Sequence, residues 1–197
     1  MKSAIFFSSI LGLALGSSAQ SSNSTEAPVV TDNPVGATYE ALFVKSADID
    51  IRGSVSLSSG ATGTGAIVDI DLFGLPDEEL GPFSYHIHVA PVPMDGDCAG
   101  TEGHLDPYGR TDEPPCDPET PNNCEVGDLS GKWGTVEGAS FRDVYLDPYV
   151  SLEPDTPAFA GNGSITIHDV DGNRITCATL VQLTIPVEEE EDEEECD

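Results

Sequence analysis

Short segments in which apolar and polar residues alternate recur along the chain between residues 38 and 185. Because successive side chains of a strand point to opposite faces, this alternation predicts strands with one buried face. Clusters of Gly, Pro, Asp and Asn separate the segments, and no long stretch has the 3.6-residue apolar period of an amphipathic helix. The pattern predicts an all-β domain, an antiparallel β-sandwich or barrel of seven or eight short strands. The predicted strands span residues 38–45, 49–57, 66–73, 83–89, 141–146, 164–169 and 174–185.

The segments that flank this pattern have different compositions. Residues 1–19 combine a basic start, an apolar stretch too short to span a bilayer and small residues at the end, which is typical of a secretory signal peptide. Residues 20–36 are rich in Ser, Asn, Thr and Pro and predict a flexible leader, so the folded domain is predicted to span residues 37–186. Eight consecutive acids at 188–195 predict a disordered tail over residues 187–197. No apolar stretch follows that tail, which predicts no lipid anchor at this end of the chain.

The net charge argues against some classes of partner, and the cysteines predict disulfides. The chain has 36 acidic and seven basic residues, a net charge of −29, so nucleic acid and anionic membrane surfaces would repel it. Secretion would place the five cysteines in an oxidising compartment, where disulfides are expected. Asn23 and Asn162 begin glycosylation acceptor sequences. We therefore predict a secreted glycoprotein with no nucleic-acid partner and no membrane insertion. The cell wall is a compatible location, and a monomer is favoured.

The four histidines suggest a metal site. His86 and His88 are two residues apart in a predicted strand and so share one face, and His168 lies in another predicted strand. His104 lies in a long irregular segment, residues 91–134, and long segments of this kind usually carry function. Neutral imidazoles that converge on one point bind copper or zinc.

Five sequence elements, in order, carry a resemblance to a known family. They are His-Ile-His ending at His88, Cys98 followed by His104 in Cys-Ala-Gly-Thr-Glu-Gly-His-Leu-Asp-Pro, then Gly-Asp-Leu-Ser-Gly-Lys, Ile-His168, and Arg-Ile-Thr-Cys177. Over roughly residues 38 to 185 the chain resembles the copper/zinc superoxide dismutases. The resemblance implies an eight-stranded Greek-key β-barrel and a disulfide between Cys98 and Cys177. It also implies one copper ion held by His86, His88, His104 and His168.

Two departures from the bimetallic members concern zinc and access to the copper. The first departure is that all four histidines are assigned to copper, so none remains for a zinc site. The second is that the short segment 169–173 replaces the long charged loop of those enzymes. Both features resemble the extracellular copper-only branch known chiefly from fungi. The resemblance implies copper without zinc, superoxide as the substrate, and dioxygen and hydrogen peroxide as products. The alternative is a protein of the same fold that stores, buffers or delivers copper without useful turnover.

The same resemblance implies roles for three further residues and for His104, which holds a proton in the catalytic cycle of the family. Glu125 and Asp128 have the spacing of carboxylates in the copper-only branch, and we predict that Glu125 orients His104 while Asp128 supports the site. Arg174 lies three residues before Cys177, as in the family, and is the predicted guide for the anionic substrate. Lys132 is predicted to be structural or solvated.

The remaining cysteines leave a choice open. Cys116 and Cys124 bracket a Pro-rich loop, and a local disulfide there would brace the segment that carries Glu125. Cys196, in the acidic tail, would then be unpaired within the chain or available to a second chain. Three cysteines allow three pairings, and the sequence does not choose among them.

Overall fold

The protein is described by a computed structural model over residues 26–46, 49–76 and 78–184. The predicted signal peptide, the first part of the leader, the acidic tail, Asn23 and Cys196 lie outside these residues. No helix in the described ranges is long and apolar enough to cross a membrane.

Seven antiparallel strands form one curled sheet. All seven predicted strands are present, and their ends differ from the predicted ones by a few residues. The described residues contain these seven strands, whereas the resemblance implied eight. The strand order across the sheet is β4-β6-β7-β1-β2-β3-β5, so the connections from β3 to β4, from β4 to β5 and from β5 to β6 each join distant strands. The strands are β1 (Thr38–Phe43), β2 (Arg52–Ser59), β3 (Ala66–Phe73), β4 (Ser84–His88), β5 (Ser140–Asp147), β6 (Ser164–His168) and β7 (Arg174–Gln182).

The alternation seen in the sequence corresponds to burial in the sheet. In β3, the side chains of Ala66, Val68, Ile70 and Leu72 are fully buried, while the residues between them are partly or fully exposed. In contrast, every residue of β6 is buried, because the long connections cover its second face. The strand that carries His168 is therefore enclosed on both sides.

Residues 26–36 pack against the domain, which corrects the prediction of a flexible leader for this part of the chain. Asn33 is buried, and its amide group donates to the carbonyl oxygens of Gly65 and Val150 at 2.8 and 3.2 Å. The Asn33 side-chain oxygen accepts from the backbone N–H of Leu152 at 2.7 Å. A polar, Pro-containing composition misled the prediction because the partners of Asn33 lie more than 30 residues away along the chain.

The connection from β4 to β5 forms the wall opposite the sheet at the histidine site. It contains 3₁₀ turns at Cys98–Thr101 and Pro121–Asn123 and one short helix, α1 (Leu129–Trp133). Asp128 caps this helix by accepting from the Gly131 N–H at 2.7 Å. Disulfides Cys98–Cys177 and Cys116–Cys124 anchor the connection, the first to β7 and the second within itself.

Candidate metal site

Strands β4 and β6 position three of the histidines. In β4, Tyr85 and Ile87 point into the core and are almost completely buried, so His86 and His88 lie together on the opposite face, as predicted. The register pairs His86 with Thr166, which places His168, two residues further along β6, on the same side of the sheet. A one-residue shift of either strand would turn these imidazoles to the other face.

The fourth histidine reaches the site because its segment is hydrogen-bonded to the edge of β4. The Ile87 carbonyl accepts from the Leu105 N–H at 2.8 Å, and the Ile87 N–H donates to the Gly127 carbonyl at 2.9 Å. A Cβ atom at Gly127 would lie 2.3 Å from the Ile87 oxygen, so no larger residue fits at this crossing. One residue of β4 thereby fixes both the His104 segment and the Glu125 segment beside the sheet.

The four imidazoles converge on one small volume. One nitrogen atom from each of His86, His88, His104 and His168 lies within 4.8 Å of the others. No second group of three or more possible ligands from His, Cys, Asp or Glu occurs within the described ranges.

Backbone carbonyls orient two of these rings. His88 Nδ1 lies 2.8 Å from the Glu102 oxygen, and His168 Nδ1 lies 3.1 Å from the Gly172 oxygen. Because a carbonyl only accepts, both contacts require a hydrogen on Nδ1 and leave the Nε2 lone pair free. The two Nε2 atoms lie 3.3 Å apart and both face the centre of the cluster.

Carboxylates orient the other two rings. His104 Nδ1 lies 2.5 Å from Glu125 Oε2, and His86 Nε2 lies 3.4 Å from Asp128 Oδ1. Glu125 therefore contacts His104 as the sequence predicts, and Asp128 contacts His86, a partner that the sequence did not specify. His86 Nδ1 is buried with no hydrogen-bond partner in the described structure. An unpaired buried nitrogen that faces three other imidazoles fits a metal ion well.

Burial favours the neutral form of three imidazoles, those of His86, His88 and His168. It lowers the pKa of His88 to about 3 and the pKa of His168 to about 4. Burial also lowers the pKa of His86, although the nearby Asp128 opposes that shift. Burial alone would raise the pKa of Asp128, but the contacts with His86 and the Gly131 N–H outweigh it and hold that pKa below its ordinary value. Neutral imidazole is the form that ligates a transition metal.

Arg174 makes contacts that the sequence did not reveal. Its guanidinium donates to the carbonyl oxygens of Cys98 at 2.7 Å, Ala99 at 3.0 Å and Glu102 at 2.5 Å. Since Glu102 also accepts from His88, the arginine fixes the turn that orients a histidine of the cluster. No local sequence signal marks these contacts, because backbone carbonyls carry no residue identity.

Lys132 is structural, one of the two roles predicted for it. Its ammonium group is fully buried and donates to Asp147 Oδ2 at 2.5 Å and to the Val126 carbonyl at 2.8 Å. Asp147 also accepts from the indole N–H of Trp133 and the backbone N–H of Tyr149. A buried charge needs partners of this kind, and here they join α1 to the end of β5.

Comparison with known proteins places this site in a family. No family model matches the sequence. The chain is 38% identical to a cell surface Cu-only superoxide dismutase of Arthroderma benhamiae over 94% of its length, and 38% identical to cell surface Cu-only superoxide dismutase 5 of Candida albicans over 80%. The second match covers 67% of the Candida protein. The chain belongs to the cell-surface Cu-only superoxide dismutase family.

A solved structure of this family confirms the predicted all-β, superoxide dismutase-like fold. The structure is that of Candida albicans superoxide dismutase 5 with Cu(II), and the match has a TM-score of 0.69 at 37% identity. It covers 76% of this chain and 94% of the Candida chain. This chain spans 56% of the length of the Arthroderma protein.

Proposed function

We propose that this chain is an extracellular superoxide dismutase that uses one copper ion held by the four clustered histidines. The observation that carries the proposal is the set of four imidazole nitrogens, one from each histidine, that lie within 4.8 Å of one another. Four neutral nitrogen donors suit copper. The proposed reaction converts two superoxide anions and two protons to dioxygen and hydrogen peroxide. Copper, when bound, supplies the one-electron oxidation and reduction that this reaction requires.

Glu125 holds a proton on the outer nitrogen of His104. Because a carboxylate accepts, the 2.5 Å contact supports a hydrogen on His104 Nδ1, with Nε2 directed at the cluster as a ligand or as a site that accepts a proton. Glu125 is only 11% exposed, so water competes weakly for this hydrogen bond. His104 is thus oriented from outside the cluster without a second metal ion, and the pair supplies a proton to the reduced oxygen species.

Asp128 supports the opposite ring in a different way. It is anchored at the start of α1 by the Gly131 N–H, and its longer contact with His86 Nε2 limits rotation of that ring. The helix start therefore positions the carboxylate, and the carboxylate positions the imidazole. We propose a smaller role in turnover for Asp128 than for Glu125, because its 3.4 Å contact with His86 is longer than the 2.5 Å contact of Glu125 with His104.

Arg174 has donors left to direct an anion toward the site. A guanidinium carries five N–H donors, and three are engaged by the carbonyls of the 98–102 turn. Its charge lies close enough to His88 and His168 to lower the pKa of each, although burial is the larger cause for both. We propose that the remaining donors attract superoxide at the edge of the site.

The proposal also covers the location and the oligomeric state of the protein. The relatives are named as cell surface proteins, which supports an extracellular or cell surface location, and association with the cell wall is part of the proposal. We further propose that the domain acts as a monomer, since every proposed ligand and orienting group comes from one chain. Sedimentation of the secreted protein tests the monomer prediction.

Metal replacement tests the proposed function. The purified apoprotein would be loaded with copper, with zinc, or with both, dialysed, and assayed for metal content and for the dismutation rate by pulse radiolysis. We expect one tightly bound copper, full activity with copper alone and no change when zinc is added. One retained equivalent of each metal, or activity only when zinc is present, would contradict the copper-only assignment. Copper binding without turnover would favour the storage or delivery protein instead.

A further inference from the structure

A cavity of about 350 Å³ lies beside the histidine cluster. His86, His104 and His168 line it, and most of the other lining residues belong to the connection between β4 and β5. The carboxylates of Asp112, Glu125 and Asp128 line it as well. Arg110 is the one cationic residue among the described residues of this lining.

The other cations in the described part of the chain already have partners. Lys45 and Arg52 both bind Asp50, Arg142 binds Asp71, Lys132 is buried with Asp147, and Arg174 donates to backbone carbonyls. In contrast, Arg110 forms no ion pair and no side-chain hydrogen bond with any described residue. In an acidic chain with seven basic residues in total, an unpaired guanidinium at this cavity stands apart from the rest.

The backbone of Arg110 is held firmly even though its side chain is not. The N–H groups of Arg110 and Thr111 donate to the two oxygens of Asp106, each at 2.9 Å. Thr111 has a φ of 60°, a left-handed conformation that marks a tight turn. Arg110 itself is half-buried. The turn therefore fixes the point from which the side chain extends.

We propose that Arg110 is an anion-guiding residue of this cavity, a second cation that attracts superoxide toward the histidine cluster. The inference rests on the proposed function and adds a residue to it. The net charge of −29 repels an anionic substrate over long range, but charges more than about 8 Å away are largely screened at physiological ionic strength. A single cation at the cavity therefore has a disproportionate effect on the local potential that an entering anion meets.

The different contacts of Arg174 and Arg110 predict different effects when each is replaced. Arg174 commits three donors to the turn at residues 98–102, so its replacement would disturb the backbone that orients His88. Arg110 has no such structural contacts within the described ranges. Its replacement should alter the potential in the cavity and leave the histidines in place.

The experiment compares Arg110→Gln and Arg110→Lys with Arg142→Gln. The control removes the same charge from an exposed arginine that lies on β5 and pairs with Asp71. Each protein would be loaded with one copper. Azide affinity would be measured by optical titration, and the dismutation rate would be measured by pulse radiolysis at several ionic strengths.

For Arg110→Gln we expect azide affinity and the dismutation rate at low salt to fall about threefold or more, with Arg110→Lys retaining most of both. The rate of the Gln variant should also rise more with added salt than that of the unmodified protein, because repulsion is then a larger share of what salt screens. Azide affinity and salt dependence equal to those of Arg142→Gln would overturn the inference. If the unmodified protein binds copper and azide but has no dismutase activity, the proposed function fails, while azide affinity still decides whether Arg110 attracts anions.

Discussion

The two walls of the histidine site orient their ligands by different means. His88 and His168 lie on buried strands of the sheet wall, and the backbone carbonyls of Glu102 and Gly172 orient their rings. On the wall formed by the β4–β5 connection, the carboxylates of Glu125 and Asp128 orient His104 and His86. A carbonyl contact fixes which ring nitrogen carries the hydrogen, whereas a carboxylate contact also adds a negative charge beside the ring. We therefore assign metal retention mainly to the first wall and proton handling to the second.

Loss of the Cys98–Cys177 disulfide should have the largest effect, because that bond ties the connection to the sheet. The cysteines are 79 residues apart, and the chain-entropy relation gives a contribution of about 4.5 kcal/mol for a loop of this length. The double Cys→Ser variant should unfold at a much lower denaturant concentration. The Cys116–Cys124 pair, eight residues apart, should contribute less, about 2.5 kcal/mol. Equal losses in the two double variants would contradict this ranking.

Removal of a histidine ligand from the sheet wall should have the second largest effect, a loss of copper affinity. For His168→Gln we expect the copper affinity to fall more than about 100-fold, since loss of a ligand should exceed the effect of losing an outer partner. Competition against a chromophoric chelator measures the affinity. Asp171→Asn, in the exposed turn after β6, is the matched control and should bind copper normally. An unchanged affinity in His168→Gln would remove His168 from the ligand set.

A change on the other wall should affect turnover more than binding. Glu125→Gln keeps the size of the side chain but removes the charge beside His104, so we expect the dismutation rate to fall roughly tenfold, most steeply at high pH where protons are scarce. Asp128→Asn should lower the rate less. Pulse radiolysis at matched copper occupancy measures both variants. If both variants lost copper as readily as His168→Gln, the assignment of different tasks to the two walls would be wrong.

A further expected effect is on the stability of the apoprotein. Folding lowers the pKa of His88 to about 3 and that of His168 to about 4, both below the ordinary value of 6.5, so the unfolded chain binds more protons between these limits. The free energy of unfolding should therefore decrease as the pH falls from about 7 to 5. Thermal unfolding of the apoprotein across this range tests the sign. The decrease should be smaller in His168→Gln, and an apoprotein that becomes more stable toward pH 5 would contradict the expectation.

The sequence predicts the two walls to different extents, for physical reasons. Strand alternation predicts that His86 and His88 share a face, because period-two geometry is local. The resemblance to the copper-only branch implies the contact of Glu125 with His104, and both residues lie within one connection. The partner of Asp128 and the carbonyl contacts of Arg174 could not be predicted, since they depend on how distant backbone segments cross. Asn33 shows the same limit, because its buried contacts depend on the tertiary fold while its local composition resembles that of a flexible leader.

Stepwise copper loading tests the central claim most directly, that one copper ion on four histidines is sufficient for turnover. Copper would be added to zinc-free apoprotein in fractions of an equivalent, and the dismutation rate per chain would be measured by pulse radiolysis after each addition. We predict a linear rise that stops at one equivalent, with a rate well above that of copper bound to a simple peptide. A break at two equivalents, a rate that continues to rise, or a plateau no faster than the copper peptide would contradict the account.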